Sequence, residues 1–354
     1  MKSNKKTTGG TSLADLANSL PNYFSDTTIV KSGIYSLDYL LKGGLQLGSF
    51  IQFVAESGIG KSTIALQVAS NLCEQGHKVL YLDSEGSVTN KTLESTGVSK
   101  YLNNGFYYVR ESTFDKVEKK LDRFISTNEI SVIMIDSIAN LINEGFTNLN
   151  DGISITNNNT NNISGPLVKF INKYKSVATS CNICFVLVNQ YRNTINMKIG
   201  TQLKEYGSKN VRYASDVIIK INGIKSFGSA RDFKNLTNSA DAGIALELEI
   251  VKSNKSRPGT IMPAYLIYGK GIDNMWNWVY ELKKADVIKQ AGKYFSLDYV
   301  GNQIKEDGMP NFVRALESTE FSVDDFTNLM PVGDDFDGEF TLEFSTSADD
   351  GGEL

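Results

Sequence analysis

The chain has 354 residues with 36 Lys/Arg, 40 Asp/Glu and one histidine, a formal net charge of −4. That length suits one large α/β domain with a smaller appendage, and 41% hydrophobic with 21% charged residues argues against a fibrous or wholly disordered chain. No apolar run approaches the roughly 18 residues of a membrane span, no apolar stretch follows the basic N-terminus as in a secretory signal, and three cysteines are too few for a disulfide scaffold, so a cytoplasmic protein without membrane contact is expected.

In chain order, residues 1–10 read as disordered. Ser12 to Asp15 forms a capping box, with Leu13, Leu16 and Leu20 on one helical face. Pro21 and a linker follow. From about residue 31, apolar strands alternate with helices. The strands expected are 49–54, 78–83, 130–136, 183–189, 215–221, 245–251 and 263–268. Several are near-continuous β-branched runs, which suits strands buried on both faces of a mostly parallel sheet. One helix starts at Lys61. A second places Phe114, Val117, Leu121, Phe124 and Ile125 on one face, and a third does so with Leu167, Phe170, Ile171, Tyr174 and Val177. This alternation implies an α/β sheet flanked by helices.

Two stretches interrupt the pattern. Residues 143–165 are rich in Asn, Thr and Gly; residues 191–212 carry Arg192, Lys198, Lys204, Lys209 and Arg212. Loops of this length inside a domain are either functional or disordered. After about residue 273 the composition changes to a small α+β module. Cys181 and Cys184 form a lone C-x-x-C with no second pair and are read as packing residues. Residues 315–354 hold 12 Asp/Glu and no Lys/Arg, leaving 1–314 with a net charge of +8. A basic body with an acidic tail suits polyanion binding with a competing segment, while a solubilising disordered tail explains the acidity equally well. The domains expected are 1–30 (helix and linker, for oligomerisation), 31–272 (core), 273–318 (small module) and 319–354 (acidic tail).

Ala55, Glu56, Ser57, Gly58, Ile59, Gly60, Lys61, Ser62 and Thr63 follow a strand and open a helix, the context of a phosphate-binding P-loop. Backbone N–H groups at a helix N-terminus attract phosphate, the Lys61 ammonium reaches the β- and γ-phosphates, and the Ser62 hydroxyl is a hard ligand for Mg²⁺. Ala55 replaces the usual first glycine; as the smallest alternative it should let the loop form with slight strain. Asp136 ends a strand where a carboxylate would orient the magnesium ion and its waters. Asp83 and Glu85 end another strand, and Glu85 is either a general base or a solvated loop acid. Asn189 and Gln190 end a strand just before the basic stretch, where an amide could sense the γ-phosphate and alter loop order.

The ordered set AESGIGKST, YLDSEG, VIMIDSIANL and FVLVNQYR…KNVRYASDVIIKI resembles the RecA family of recombinases, over roughly residues 31–300. The Asn-rich character and acidic tail look more like a phage UvsX-type member than a cellular one. The resemblance implies a RecA-like ATPase core using ATP and Mg²⁺. It also implies a helical homo-oligomeric filament on single-stranded DNA that pairs with homologous duplex DNA, with ssDNA-binding and mediator proteins as further partners. It gives Lys61 and Ser62 the phosphate and magnesium roles, Asp136 the Walker B role, Glu85 the catalytic role and Gln190 γ-phosphate sensing. The segments 143–165 and 191–212 become DNA-binding loops, and Lys252 and Lys255 candidates to reach a neighbour's ATP. Two other readings stay open: another RecA-fold ATPase such as a hexameric helicase, and a non-catalytic ssDNA-binding scaffold with a decayed P-loop.

Overall fold

The computed structural model describes residues 28–142, 164–196, 200–206, 209–227, 243–299, 301–319 and 321–329. The helix expected over 13–20, nearly all of 143–165, Lys198 and the chain beyond 329 lie outside the described residues. A short antiparallel pair, β1 (Ile29–Val30) and β2 (Leu45–Gln46), precedes the main sheet, with helix α1 (Tyr35–Leu40) between its strands. The main sheet contains β3 (Phe50–Ala55), β4 (Val79–Asp83), β5 (Phe106–Arg110), β6 (Val132–Asp136), β7 (Cys184–Asn196), β8 (Gly200–Glu205), β9 (Val217–Phe227), β10 (Gly243–Lys252), β11 (Ile261–Ile267) and β12 (Gly271–Ile272). Its order is β12-β11-β10-β9-β3-β7-β6-β4-β5, with β8 paired to β7. The run from β9 to β5 is parallel; β10, β11 and β12 add on antiparallel.

Side-chain alternation explains why both faces are covered. Val132 and Met134 of β6 enter one core, and Ile133 and Ile135 the other; β4 divides Val79 and Tyr81 from Leu80 and Leu82 in the same way. Helix α2 (Lys61–Glu74) covers the first face with Ile64, Leu66, Val68 and Leu72. The second face is covered by two helices, Phe114–Ile125 and Ser164–Cys181, through Phe114, Val117, Leu121, Leu167, Phe170, Ile171 and Tyr174. These are the faces that the sequence spacing marks. The edge strand β5 is missing from the sequence pattern, because FYYVR is only half-buried and follows an Asn-Asn-Gly turn.

A row of amide side chains on α2 and its C-cap ties down the segments that flank the core. Gln67 donates to the Ile272 carbonyl (2.8 Å) and accepts from the Ile272 N–H (2.6 Å). Asn71 donates to the Ser32 carbonyl (2.9 Å), and Gln75 to the Lys31 carbonyl (3.0 Å). Gly33, at φ +72, packs so closely on Asn71 that a Cβ would collide with its amide. The chain then enters α1, whose Tyr35 N–H donates to the Asn274 side chain (3.0 Å).

The C-terminal module joins three helices, Asn274–Lys284, Met309–Glu317 and Val323–Leu329, to an antiparallel sheet of β13 (Lys289–Ala291), β14 (Tyr294–Tyr299) and β15 (Asn302–Asp307). It shares a core with the outer face of β10 and β11 through Ala245, Tyr265 and Ile267. The start of the acidic tail needs correction. Sequence sets a disordered tail at 319–354, yet 323–329 is helical and the aromatic residues around it are buried. Phe326 stacks on Trp278 (5.8 Å) and meets Tyr35 edge-on (5.2 Å), while Phe321 packs on Tyr299 (5.2 Å). Burial of two phenylalanines outweighs the segment's acidity. No described helix is long and apolar enough to cross a membrane.

Candidate nucleotide site and basic ribbon

Parallel registry brings the candidate residues to one edge of the sheet. Ala55 lies beside Gln190, Asp136 beside Val188, and Asp83 beside Asp136. Ala55 is an ordinary strand residue, fully buried in the core against its partners Gln190 and Ile221. The strain expected there is absent: the position has no left-handed φ, so a methyl group is accommodated. The left-handed positions are Gly58 (φ +80) and Gly60 (φ +100), where glycine costs nothing. A Cβ on Gly60 would also lie 2.7 Å from the Leu266 side chain. The loop delivers the chain into α2 with Glu56, Ser57 and Gly58 exposed and Ile59, Gly60, Ser62 and Thr63 half-buried.

Lys61 is 7% exposed and donates to the Glu56 carbonyl (2.6 Å) and the Ala55 carbonyl (3.3 Å), so its ammonium folds back over the loop. Burial lowers its pKa, opposed by the charges of Asp136 and Glu85. Asp136 is 1% exposed, and burial raises its carboxyl pKa. Hydrogen bonds from the Ser62 and Tyr81 hydroxyls pull the other way, that from Tyr81 at 2.6 Å. Ser62 and Asp136 thus meet at the N-terminus of α2, the arrangement that a magnesium–triphosphate group requires. Among the described residues no cluster of three His, Cys, Asp or Glu side chains could hold a metal alone. An ion here would complete its shell with phosphate and water.

Asp83, grouped with Glu85 by sequence, has a different task. It is fully buried and accepts from the N–H groups of Glu85 (3.0 Å), Gly86 (2.6 Å) and Val88 (3.2 Å) and from the Tyr108 hydroxyl (2.8 Å). It therefore organises the turn that carries Glu85. Ser84 fixes the other end: its hydroxyl donates to the Ser137 carbonyl (2.6 Å) and accepts from the Ser137 N–H (2.9 Å). Glu85 itself is exposed, and its carboxyl pKa is raised by desolvation and by the negative charges of Asp136 and Asp83, with Lys61 opposing. Sequence reasoning misses Tyr81, Ser84 and Tyr108; only the polar ends of the strands hint at them.

Asn189 is buried. Its amide donates to the Tyr206 carbonyl (2.8 Å) and accepts from the Gln190 N–H (2.8 Å), and the Tyr206 N–H donates to the Gln190 carbonyl (2.9 Å). The described residues of 191–212 form strands and a short helix. β7 continues to Asn196 and pairs antiparallel with β8, which sets Arg192 opposite Lys204. The residue types in 191–196, which include Thr194 and Ile195, suit such a ribbon. Lys209 and Arg212 leave it for the short helix Lys209–Ala214, which packs on the sheet through Val211.

Lys252 and Lys255 are far from the P-loop of their own chain. Lys252 pairs with Ile218 near the start of β9, at the other end of the sheet from Ala55 and Ile221. Its ammonium caps the Lys209–Ala214 helix, donating to the carbonyls of Arg212 (2.9 Å), Tyr213 (3.0 Å) and Ser215 (2.5 Å). Burial lowers its pKa. Lys255 is exposed on the following turn.

A family model described as the RecA N-terminal domain matches residues 1–273. Among curated relatives, "Protein RecA" of Arthrobacter sp. (strain FB24) is 24% identical over 289 residues, covering 81% of this chain and 77% of the relative. "Protein RecA" of Lactobacillus johnsonii is 24% identical over 277 residues (77% and 72%). That of Mycoplasma mycoides is 23% identical over 298 residues (84% and 81%). The sheet, its P-loop helix and the match across three quarters of the sequence agree: the chain belongs to the RecA family.

Proposed function

We propose that this protein is an ATP-dependent DNA strand-exchange recombinase that assembles as a helical filament on single-stranded DNA and pairs it with homologous duplex. The observation that carries this reading is the unbroken course of β7. At Gln190 it touches the end of the P-loop strand, and a few residues later it forms a ribbon that places two cations opposite each other. Like charges in that register are unfavourable without an anion between them, which a DNA backbone supplies. Arg192 and Lys204 of the ribbon, together with Lys198, which lies outside the described residues, are the candidates for phosphate contact. Lys209 and Arg212 would contribute only from the adjoining helix.

In this reading the P-loop amides and Lys61 hold the triphosphate, while Ser62 and Asp136 hold its Mg²⁺. The magnesium–triphosphate supplies the bond to be cleaved and neutralises charge on it. Glu85 takes a proton from the attacking water, and its raised pKa moves it toward the operating pH. Gln190 senses the γ-phosphate. Because its own backbone holds Tyr206, any shift is passed to the base of the ribbon. Lys255 is the better candidate to reach a neighbour's nucleotide, since Lys252 is engaged in capping. Through Ile218, Lys252 lies at the level of Gln52, about 10 Å along β3 from that of Ala55, so either lysine serves a second copy stacked head to tail more readily than its own chain. The segment 143–165 is assigned as the other DNA-binding loop, 1–30 to oligomerisation, and ssDNA-binding and mediator proteins as further partners. The Asn-rich sequence and acidic C-terminal segment support a phage UvsX-type member acting in the host cytoplasm.

Strand exchange between homologous circular and linear DNAs, with and without ATP, tests the proposal. Joint molecules should require ATP and Lys61. Exchange that ignores ATP, or ATP turnover indifferent to single-stranded DNA, refutes it. Ala55 invites the scaffold alternative; its ordinary strand geometry argues for the ATPase reading, and turnover with and without single-stranded DNA decides between them.

A further inference from the structure

Arg110 takes no part in the nucleotide site, yet it stands beside the turn that carries Glu85. It is the last residue of β5, in register with Asp83. Its guanidinium occupies the space where a Gly86 side chain would begin. A Cβ built on that glycine would fall 2.2 Å from Nη2, 2.6 Å from Cζ and 2.7 Å from Nε. Gly86 also has φ +69, which side chains rarely adopt. The glycine is therefore constrained twice: Asp83 accepts from its N–H, and the Arg110 guanidinium fills the space a side chain would need. Tyr108, two residues before Arg110 and so on the same face of β5, completes the support by donating to Asp83. Arg110 is exposed and forms no ion pair with a described carboxylate. Contact with Gly86, rather than charge pairing, is what sets its place.

We infer that Arg110 is a positioning residue for the Glu85 turn, acting through Gly86 to hold the carboxylate where it meets the attacking water. This rests on Glu85 being the general base of an ATPase. It makes the planar guanidinium surface the working feature, so glutamine, planar and neutral, should replace arginine better than lysine does.

The experiment is a double-mutant cycle on the full-length protein with two readouts. ATP turnover is measured with single-stranded DNA for wild type, R110A, R110Q, R110K, G86A and the R110A/G86A pair. Amide hydrogen exchange is measured without nucleotide at Glu85 and Gly86. R110A should lower kcat by about tenfold or more with KM for ATP unchanged, because a misplacement of about 1 Å costs on the order of 100-fold. R110Q should recover more than R110K. G86A should cost clearly less in the R110A background than alone, since the collision is then gone. The two amides should exchange on the order of tenfold faster in R110A, as in a local opening. Unchanged exchange overturns the inference even if the protein hydrolyses no ATP. Equal costs of G86A in both backgrounds, or a kcat for R110A within twofold of wild type while E85Q is inactive, overturn it too. A wild type without turnover refutes the ATPase reading, and exchange then decides on Arg110 by itself.

Discussion

Glu281 offers a test of the fold that needs no assumption about activity. It sits on the helix Asn274–Lys284 and is 3% exposed, with one carboxylate oxygen lacking a hydrogen-bond partner among the described residues. Four residues earlier, Asn277 is fully buried with neither amide atom satisfied. Burial raises the Glu281 pKa, and Lys284 on the same helix opposes. Tyr35 from α1 and Tyr265 from β11 face it as neutral groups whose own pKa values it helps to raise. The folded chain thus keeps the Glu281 proton to a higher pH than the unfolded chain does. The stability this gives is fully present below the unfolded-state pKa, near 4.3, and is lost as pH rises through the folded-state value, at up to about 1.4 kcal/mol per pH unit. E281Q removes the charge and supplies an N–H that can donate to the Asn277 oxygen. One gained hydrogen bond is worth about 1 kcal/mol and relief of an unsatisfied buried group roughly 1–3 kcal/mol. The variant should therefore be more stable by roughly 1–3 kcal/mol at pH 7.5 and close to wild type at pH 4. Urea unfolding followed by tryptophan fluorescence measures this directly, because the chain's two tryptophans, Trp276 and Trp278, lie on the same helix. A less stable variant, or a difference that does not change with pH, would refute the reasoning.

Other expectations concern the site and its surroundings. E85Q should bind a non-hydrolysable ATP analogue as wild type does and lose turnover; wild-type kcat would remove Glu85 from the base role. Because its pKa is raised, the acidic limb of the wild-type kcat profile should lie above the ordinary carboxylate value, and a limb at or below it would count against Glu85. K252A should destabilise the fold by uncapping the Lys209–Ala214 helix, by about 0.5–1.5 kcal/mol. K255A should leave stability alone and weaken ATP-dependent self-association in sedimentation; the reverse pattern would exchange their roles. F326A should cost about 3–5 kcal/mol in the C-terminal module and shift the fluorescence of its partner Trp278. An unchanged spectrum would mean that the 323–329 helix does not dock.

Much of this is legible in the sequence because parallel strands announce themselves. VIMID and VLYLD are apolar on both faces and end in carboxylates, and their strands begin one or two residues later than expected. The Lys61 helix starts where the motif sets it. What cannot be read depends on pairing between distant strands. Nothing local separates Asp83 from Glu85, and only the fold shows one buried under four donors and the other exposed. Arg110 stands in an edge strand that the sequence pattern hides. The ribbon at 191–205 reads as a loop because polar two-sided strands carry little burial signal. The 323–329 helix is masked by its acidic surroundings, although Phe321 and Phe326 are the available clue.

Two amides on the P-loop helix and a third at its C-cap place an unusual mechanical load on one rod of 14 residues. Its N-terminus carries Lys61 and Ser62, while along one flank it holds Lys31, Ser32 and Ile272, segments that Asn274 also ties together. Tilting that rod without dragging both attachments would break four hydrogen bonds at once. Small displacements at the tip therefore reach the chain's two flanking regions as a single rigid stroke, with no separate relay for each.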